Sequence, residues 1–140
     1  MKRMYVLGAL AVVALTQAGC ATQVMSLPLA AAGGQSRGGV PIYFGQQDHP
    51  PVKSQLGDVS YSVRIARKVA GPEDACHEAL AEAVRKLRTA ANERHANAVI
   101  DVSTRFHSTE TSSASDFTCG VSPSAAAIAV RGQLVVLDSN

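Results

Sequence analysis

A basic, then apolar, then small-residue run ends at Cys20, and no other feature limits so strongly what this chain can fold into. Lys2 and Arg3 precede the 11-residue apolar stretch from Tyr5 to Leu15, and Thr16, Gln17, Ala18 and Gly19 lead up to the thiol. These lengths suit an export leader. A membrane-spanning helix takes about 20 apolar residues, and Gln17 and Gln23 interrupt the run well before that length. The foldable part is therefore expected beyond residue 19, in an oxidising compartment where thiols pair.

Ala18-Gly19-Cys20 resembles the lipobox of bacterial lipoproteins, with Gln17 standing where the family usually carries Leu. The resemblance implies a diacylglyceryl group on the Cys20 thiol, cleavage before that residue, and an anchor in the bilayer. Ordinary cleavage after Ala18 is the alternative and leaves Cys20 as a bare thiol. Cysteine arithmetic favours lipidation, because an odd thiol in an exported chain wants a modification. With Cys20 acylated, Cys76 and Cys119 are left to pair with each other. More than one acyl chain, at about 0.8 kcal/mol per buried CH₂, anchors stably where a single chain does not. Ala21 is not the aspartate that by analogy retains lipoproteins in the inner membrane, which favours the outer membrane facing the periplasm.

Lys2 and Arg3 leave with residues 1–19, so the 13 basic residues fall to 11, matching the 11 acidic ones, and the formal charge of +2 falls to zero. That balance gives no nucleic-acid footprint. Ala21 to Gly39 mixes Ala, Gly, Ser and Gln with isolated apolar residues and shows no sustained period. Residues 20–39 thus read as the lipidated cysteine and a flexible tether with a typical reach of roughly 24 Å. Docking of Val24, Met25, Leu27 and Leu29 on the domain is the alternative. Residues 40–140 then form one periplasmic domain.

Val40 to Phe44 is a short apolar run closed by Gly45, and Pro41, which cannot donate to a ladder, suits an edge. Val59, Tyr61, Val63 and Ile65 alternate with Ser60, Ser62, Arg64 and Ala66, the two-residue period of a strand with one buried face. Gly71-Pro72-Glu73-Asp74 reads as a helix start, since proline fits the first helical position and the exposed amides favour the two acids. Cys76, Leu80, Ala83, Val84, Leu87 and Ala91 then share one face. Glu82 stands four residues before Lys86, an attractive pair, and the helix should end near His95, with Asn97 in a left-handed turn. Ala98, Ile100, Val102, Thr104 and Phe106 alternate through a second strand. Residues 108–116 carry no large apolar side chain and read as a long exposed loop. Ala126, Ile128, Val130, Leu134 and Val136 mark the last strand, with Gly132 a bulge or close-contact site.

The expected fold class is α+β, a small sheet of three to four strands with one helix packed on one face, in the order strand-strand-helix-strand-strand. A Cys76–Cys119 disulfide braces it, joining the first helical turn to the approach of the last strand. It closes a loop of about 44 residues, worth roughly 4 kcal/mol in the chain-entropy model.

With the helix-borne Cys76, the Ala96-Asn97-Ala98-Val99 turn, and Cys119 ahead of an alanine-rich strand ending Leu134-Val135-Val136-Leu137, the stretch from Val59 to Leu137 resembles the small periplasmic domain of the Rcs stress-sensing lipoprotein family and related uncharacterised lipoproteins. The resemblance implies a compact helix-on-sheet domain on a lipid anchor that works by contacting membrane-protein partners. Of that family's two disulfides only one has a counterpart here, on Cys76 and Cys119. Ile42-Tyr43-Phe44-Gly45 with His49-Pro50 is also similar to small exported proteins sometimes labelled excinuclease ATPase subunits. The chain has no Gly-x-x-x-x-Gly-Lys-Ser/Thr loop and no Cys-x-x-Cys pair to carry such work.

The reading is a non-enzymatic envelope lipoprotein acting as an interaction or stress-sensing module, with no catalytic residue and no cofactor. Its partners are the bilayer, through acylated Cys20, and an envelope or outer-membrane protein; nucleic acid is not among them. A structural envelope lipoprotein without a signalling role is one rival. A heavy-metal site is another, because His77 adjoins Cys76 and His107 stands where it can approach Cys119. The serines of residues 108–115 lack the glycines of a nucleophile elbow, so hydrolysis has no residues to carry it.

Overall fold

The computed structural model describes residues 22–29, 39–68 and 71–138. The expected leader and Cys20 lie outside the described residues. In chain order the elements are β1 (Gln23–Pro28), β2 (Ile42–Phe44), β3 (Val52–Ala66), α1 (Pro72–Glu93), β4 (Ala98–Phe106), β5 (Thr109–Thr111), β6 (Asp116–Val121) and β7 (Ala125–Leu137). The small α+β sheet expected from the sequence is corrected here. The described residues are 52% strand against 22% helix, and all seven strands join one mixed sheet carrying a single helix.

Strand β7 is the spine of that sheet. One of its edges pairs with β3 along its whole length, antiparallel from Ala66↔Ala125 to Val52↔Leu137. Its other edge pairs first with β6, at Gly120↔Ala127 and Val121↔Ala126, and then with β4 from Arg105↔Ala129 to Ala98↔Val135. β1 adds to the far edge of β6, β5 folds back on the end of β4, and β2 lies parallel to β4, the one parallel pairing among the described residues. Where β6 has left β7, a side chain continues the pairing: the Thr118 amide donates to Thr104 Oγ1 at 2.8 Å.

Helix α1 forms where the sequence placed it. Gly71 is its N-cap, Pro72 stands in the first turn with Glu73 and Asp74, and Cys76, Leu80, Ala83, Val84, Leu87 and Ala91 are all buried. The alanines let the helix lie close to β3, β7 and β6, and the resulting layer is the main core. A smaller cluster of Ala98, Ile100, Val135 and Leu137, with Tyr43 against it, sits apart from that core. The Cys76–Cys119 disulfide is present, with a Cα–Cα distance of 5.9 Å, and ties the first turn of α1 to β6.

Three local expectations are corrected. Gln23–Pro28, read as tether, is strand β1, and the docking alternative holds in part: Leu27 and Leu29 are buried and Met25 is half-buried, while Val24 is exposed. Residues 108–116, read as one long loop, contain β5, whose Thr109 and Thr111 pair with Phe106 and Thr104. The left-handed residue after the helix is His95 (φ 60), not Asn97. Asn97 instead extends the sheet: its amide group donates to the Leu137 carbonyl at 3.0 Å, and its side-chain oxygen accepts from the Leu137 amide at 2.6 Å. On the helix surface Arg85, one turn on, hydrogen-bonds Glu82, and the expected attraction from Lys86 adds to it. Gly132 is the close-contact site. A Cβ there would stand 2.6 Å from Val99, and the bulge itself lies opposite, in β4, where Asp101 takes φ 50.

Candidate functional site

The helix covers one face of the sheet; on the other, Tyr43 packs over Ala98, Ile100, Val135 and Leu137 at one end, and the rest is open among the described residues. Because strand side chains alternate, the residues that do not face α1 gather on that second surface. β3 contributes Ser60, Ser62 and Arg64, all exposed, β7 contributes Ala127, Ala129 and Arg131, and β4 contributes Ser103 and Arg105. The register aligns them in rows: Ser60, Arg131 and Ser103 in one, Ser62, Ala129 and Arg105 in the next, then Arg64 and Ala127.

Small residues along the middle make this surface concave. A hollow of about 330 Å³ lies over Ala127 and Ala129, walled by Ser62, Arg64, Arg105 and His107. Phe106 closes its end, lying so close to β6 that a Cβ on Gly120 would stand 2.2 Å from the ring. A second hollow of about 340 Å³ follows along the strands and is edged by Asp58, Asp101, Glu110 and Arg131. The β4 bulge turns Asp101 toward this second hollow, the usual effect of such an irregularity.

Glu110 accepts from Arg131 at 3.2 Å and also stands opposite Arg105 in the β4–β5 register. Arg64 and Arg105 make no ion pair among the described residues, and they flank the alanine floor from opposite sides. A trough of small side chains between two uncommitted guanidiniums can seat an extended anionic segment, since each guanidinium offers a planar fork of donors to a carboxylate. Away from this face, the hydrogen bond from Arg85 holds the Glu82 carboxyl below the usual carboxylate range.

The residues weighed for chemistry go elsewhere. Cys76 and Cys119 are joined, so neither is a thiolate for a metal, and His77 stacks toward Phe117 with ring centroids 5.9 Å apart. His107 sits edge-on to Phe106 at 4.2 Å. Among the described residues no group of three His, Cys, Asp or Glu side chains converges on a metal-sized site. The serines of the β5–β6 turn are structural: Ser113 Oγ accepts from the amides of Ser115 and Asp116, both at 3.1 Å.

The alternation of the sequence marked Ser60, Ser62 and Arg64 as the polar side of a strand and the last strand as alanine-rich, but gave no sign of Arg105, whose place beside that floor depends on β4 pairing with β7. No family model, curated protein or solved structure matches this chain.

Proposed function

We propose that this chain is a non-enzymatic envelope lipoprotein, anchored in the outer membrane through acylated Cys20, whose helix-free face holds an acidic segment of another envelope protein. The observation that carries the reading is the alanine-floored trough between Arg64 and Arg105, two cations with no ion pair among the described residues. The leader ending at Cys20 and the Cys76–Cys119 disulfide support an oxidising, periplasm-facing location. The resemblance to the Rcs stress-sensing lipoproteins supports a sensing role for the same contact.

A photocrosslinking residue in place of Ala129 tests it in cells. The expected result is one discrete envelope protein in the adduct, lost when Arg64 and Arg105 are both changed to Glu, and absent when the crosslinker replaces Thr89 on the outer surface of α1. An adduct indifferent to the two charge reversals, or no adduct at Ala129, overturns the reading. The anchor is tested separately: labelled fatty acid should enter the wild-type chain and not Cys20→Ala.

A further inference from the structure

The outer edge of β3 carries information of its own. Among the described residues β3 pairs only with β7, so from Asp58 to Ala66 its second edge has no strand partner, while the Leu56 carbonyl just before it accepts from Arg94. The Arg67 amide donates to the Ser124 carbonyl at 2.9 Å, which fixes the alternation. Odd-numbered residues from 59 to 67 aim their peptide groups at β7, and the even-numbered ones from 58 to 66 aim theirs outward. Gly57 (φ 111), at an irregularity in the ladder, bounds this regular stretch at its start.

An antiparallel strand added to this edge must put outward-facing residues opposite each other. For a second copy of β3, that allows only registers in which even-numbered residues pair with even-numbered ones. The register centred on Tyr61 sets Asp58 opposite Arg64, and by symmetry it does so twice. It also sets Val59 against Val63 and Ser60 against Ser62. Moving the centre by one residue sets Arg64 against Leu56 or Ser60 and loses both charge pairs. Asp58, Ser60, Ser62 and Arg64 are all exposed, and Tyr61 is half-buried beside the core, so the matching groups stand free on the edge. Opposite charges near the ends of an edge discourage an unrelated apolar strand while fitting an inverted copy of themselves.

We propose that two copies of this chain join edge to edge through β3, in antiparallel register about Tyr61, with Asp58 of each copy facing Arg64 of the other. The interface is isologous, as a two-fold pair requires, and makes about eight main-chain hydrogen bonds from the outward-facing peptide groups. The two sheets become one, and the two helix-free faces lie side by side on the same surface. Arg64 is common to this edge and to the trough, so the pairing is read by the cysteine crosslinks at Ser60, Tyr61 and Ser62 and by Asp58→Arg, none of which removes either of the trough's two guanidiniums, and a loss of partner binding at the face leaves those crosslinks unchanged.

Cysteine scanning of the full-length protein in its membrane tests the register. Residues facing each other across a non-hydrogen-bonded antiparallel pair have Cα atoms about 4.5 Å apart, within disulfide range. Tyr61→Cys should therefore give a reducible dimer with itself. Ser60→Cys and Ser62→Cys should each stay monomeric alone and crosslink when the two variants are expressed together. Because Ser60 and Ser62 are exposed, that mixed pair reads the register even if replacing Tyr61 disturbs the fold. Asp58→Arg should cut dimer yield about tenfold, by setting like charges opposite each other at both ends. Adding Arg64→Asp to the same chain should restore it. Crosslinking equal at all three positions, no crosslinking of the Ser60→Cys with Ser62→Cys mixture, or no rescue by the charge swap overturns the proposal.

Discussion

Removing the Cys76–Cys119 crosslink is the perturbation whose cost is best defined. Both sulfurs are fully buried beneath the first turn of α1, so serine would add an unpaired hydroxyl in an apolar place, and alanine at both positions isolates the crosslink. The two cysteines are 43 residues apart, and closing a loop of that size restricts the unfolded chain by about 4 kcal/mol. A domain near 100 residues is stable by only about 5–15 kcal/mol, so the double variant should remain folded with little in reserve. Its thermal midpoint should drop by about 15 °C or more. The assay is urea unfolding of the purified protein with and without reductant. Reduced wild type and the double alanine variant should unfold at similar urea concentrations, both well below the oxidised protein, and the oxidised protein should show the smaller m-value because its unfolded chain is more compact. A reduced wild type that unfolds at the same urea concentration as the oxidised form would refute the reasoning and place the stability of the α1–β6 contact in packing alone.

Two further outcomes follow from single contacts. Gly120→Ala drives a Cβ into the Phe106 ring and should destabilise the protein by about 1–3 kcal/mol, an overpacking penalty that Phe106→Leu in the same chain largely relieves when the two are compared in chemical denaturation. Glu82 should titrate below an ordinary glutamate in a carboxyl-resolved NMR experiment, and Arg85→Gln should move it back up. A lowered folded-state pKa gives stability that is present above the unfolded value and fades as pH falls through the folded one, but the exposure of this pair keeps the effect on unfolding small.

The helix and the three strands that pack beneath it were legible because their buried faces repeat. The 3.6-residue spacing from Cys76 to Ala91 and the alternations in β3, β4 and β7 each mark one side for the core. What escaped has no such pattern. β5 is Thr-Glu-Thr, with nothing apolar to count, and becomes a strand because β4 offers a free edge beside it. β1 pairs with β6, far along the chain, so no local signal announces it. The polar start of β3, from Lys53 to Gln55, is extended only because β7 runs on beside it. The candidate site divides the same way. Ser60, Ser62 and Arg64 were visible as the polar side of an alternating strand, while their alignment with Ala129 and Arg105 is a matter of register, which one sequence does not contain.

The place of β1 also changes where the domain stands. A tether through residue 39 would let it roam roughly 24 Å from the membrane. With Gln23 paired into the sheet opposite Val121, only Ala21 and Thr22 stand between the anchor proposed at Cys20 and the folded domain, three Cα-to-Cα steps in all. Fully extended, they span about 10 Å. With that proposed anchor in place, the β1–β6 end of the sheet would be held near the bilayer surface, and the trough, whose floor at Ala127 lies beside Gly120 of β6, starts near that same end. A partner seated there would have to offer its acidic segment close to the membrane. Two domains so tethered would meet within a plane rather than in a volume, and the raised effective concentration would favour the proposed pairing along the regular half of the β3 edge.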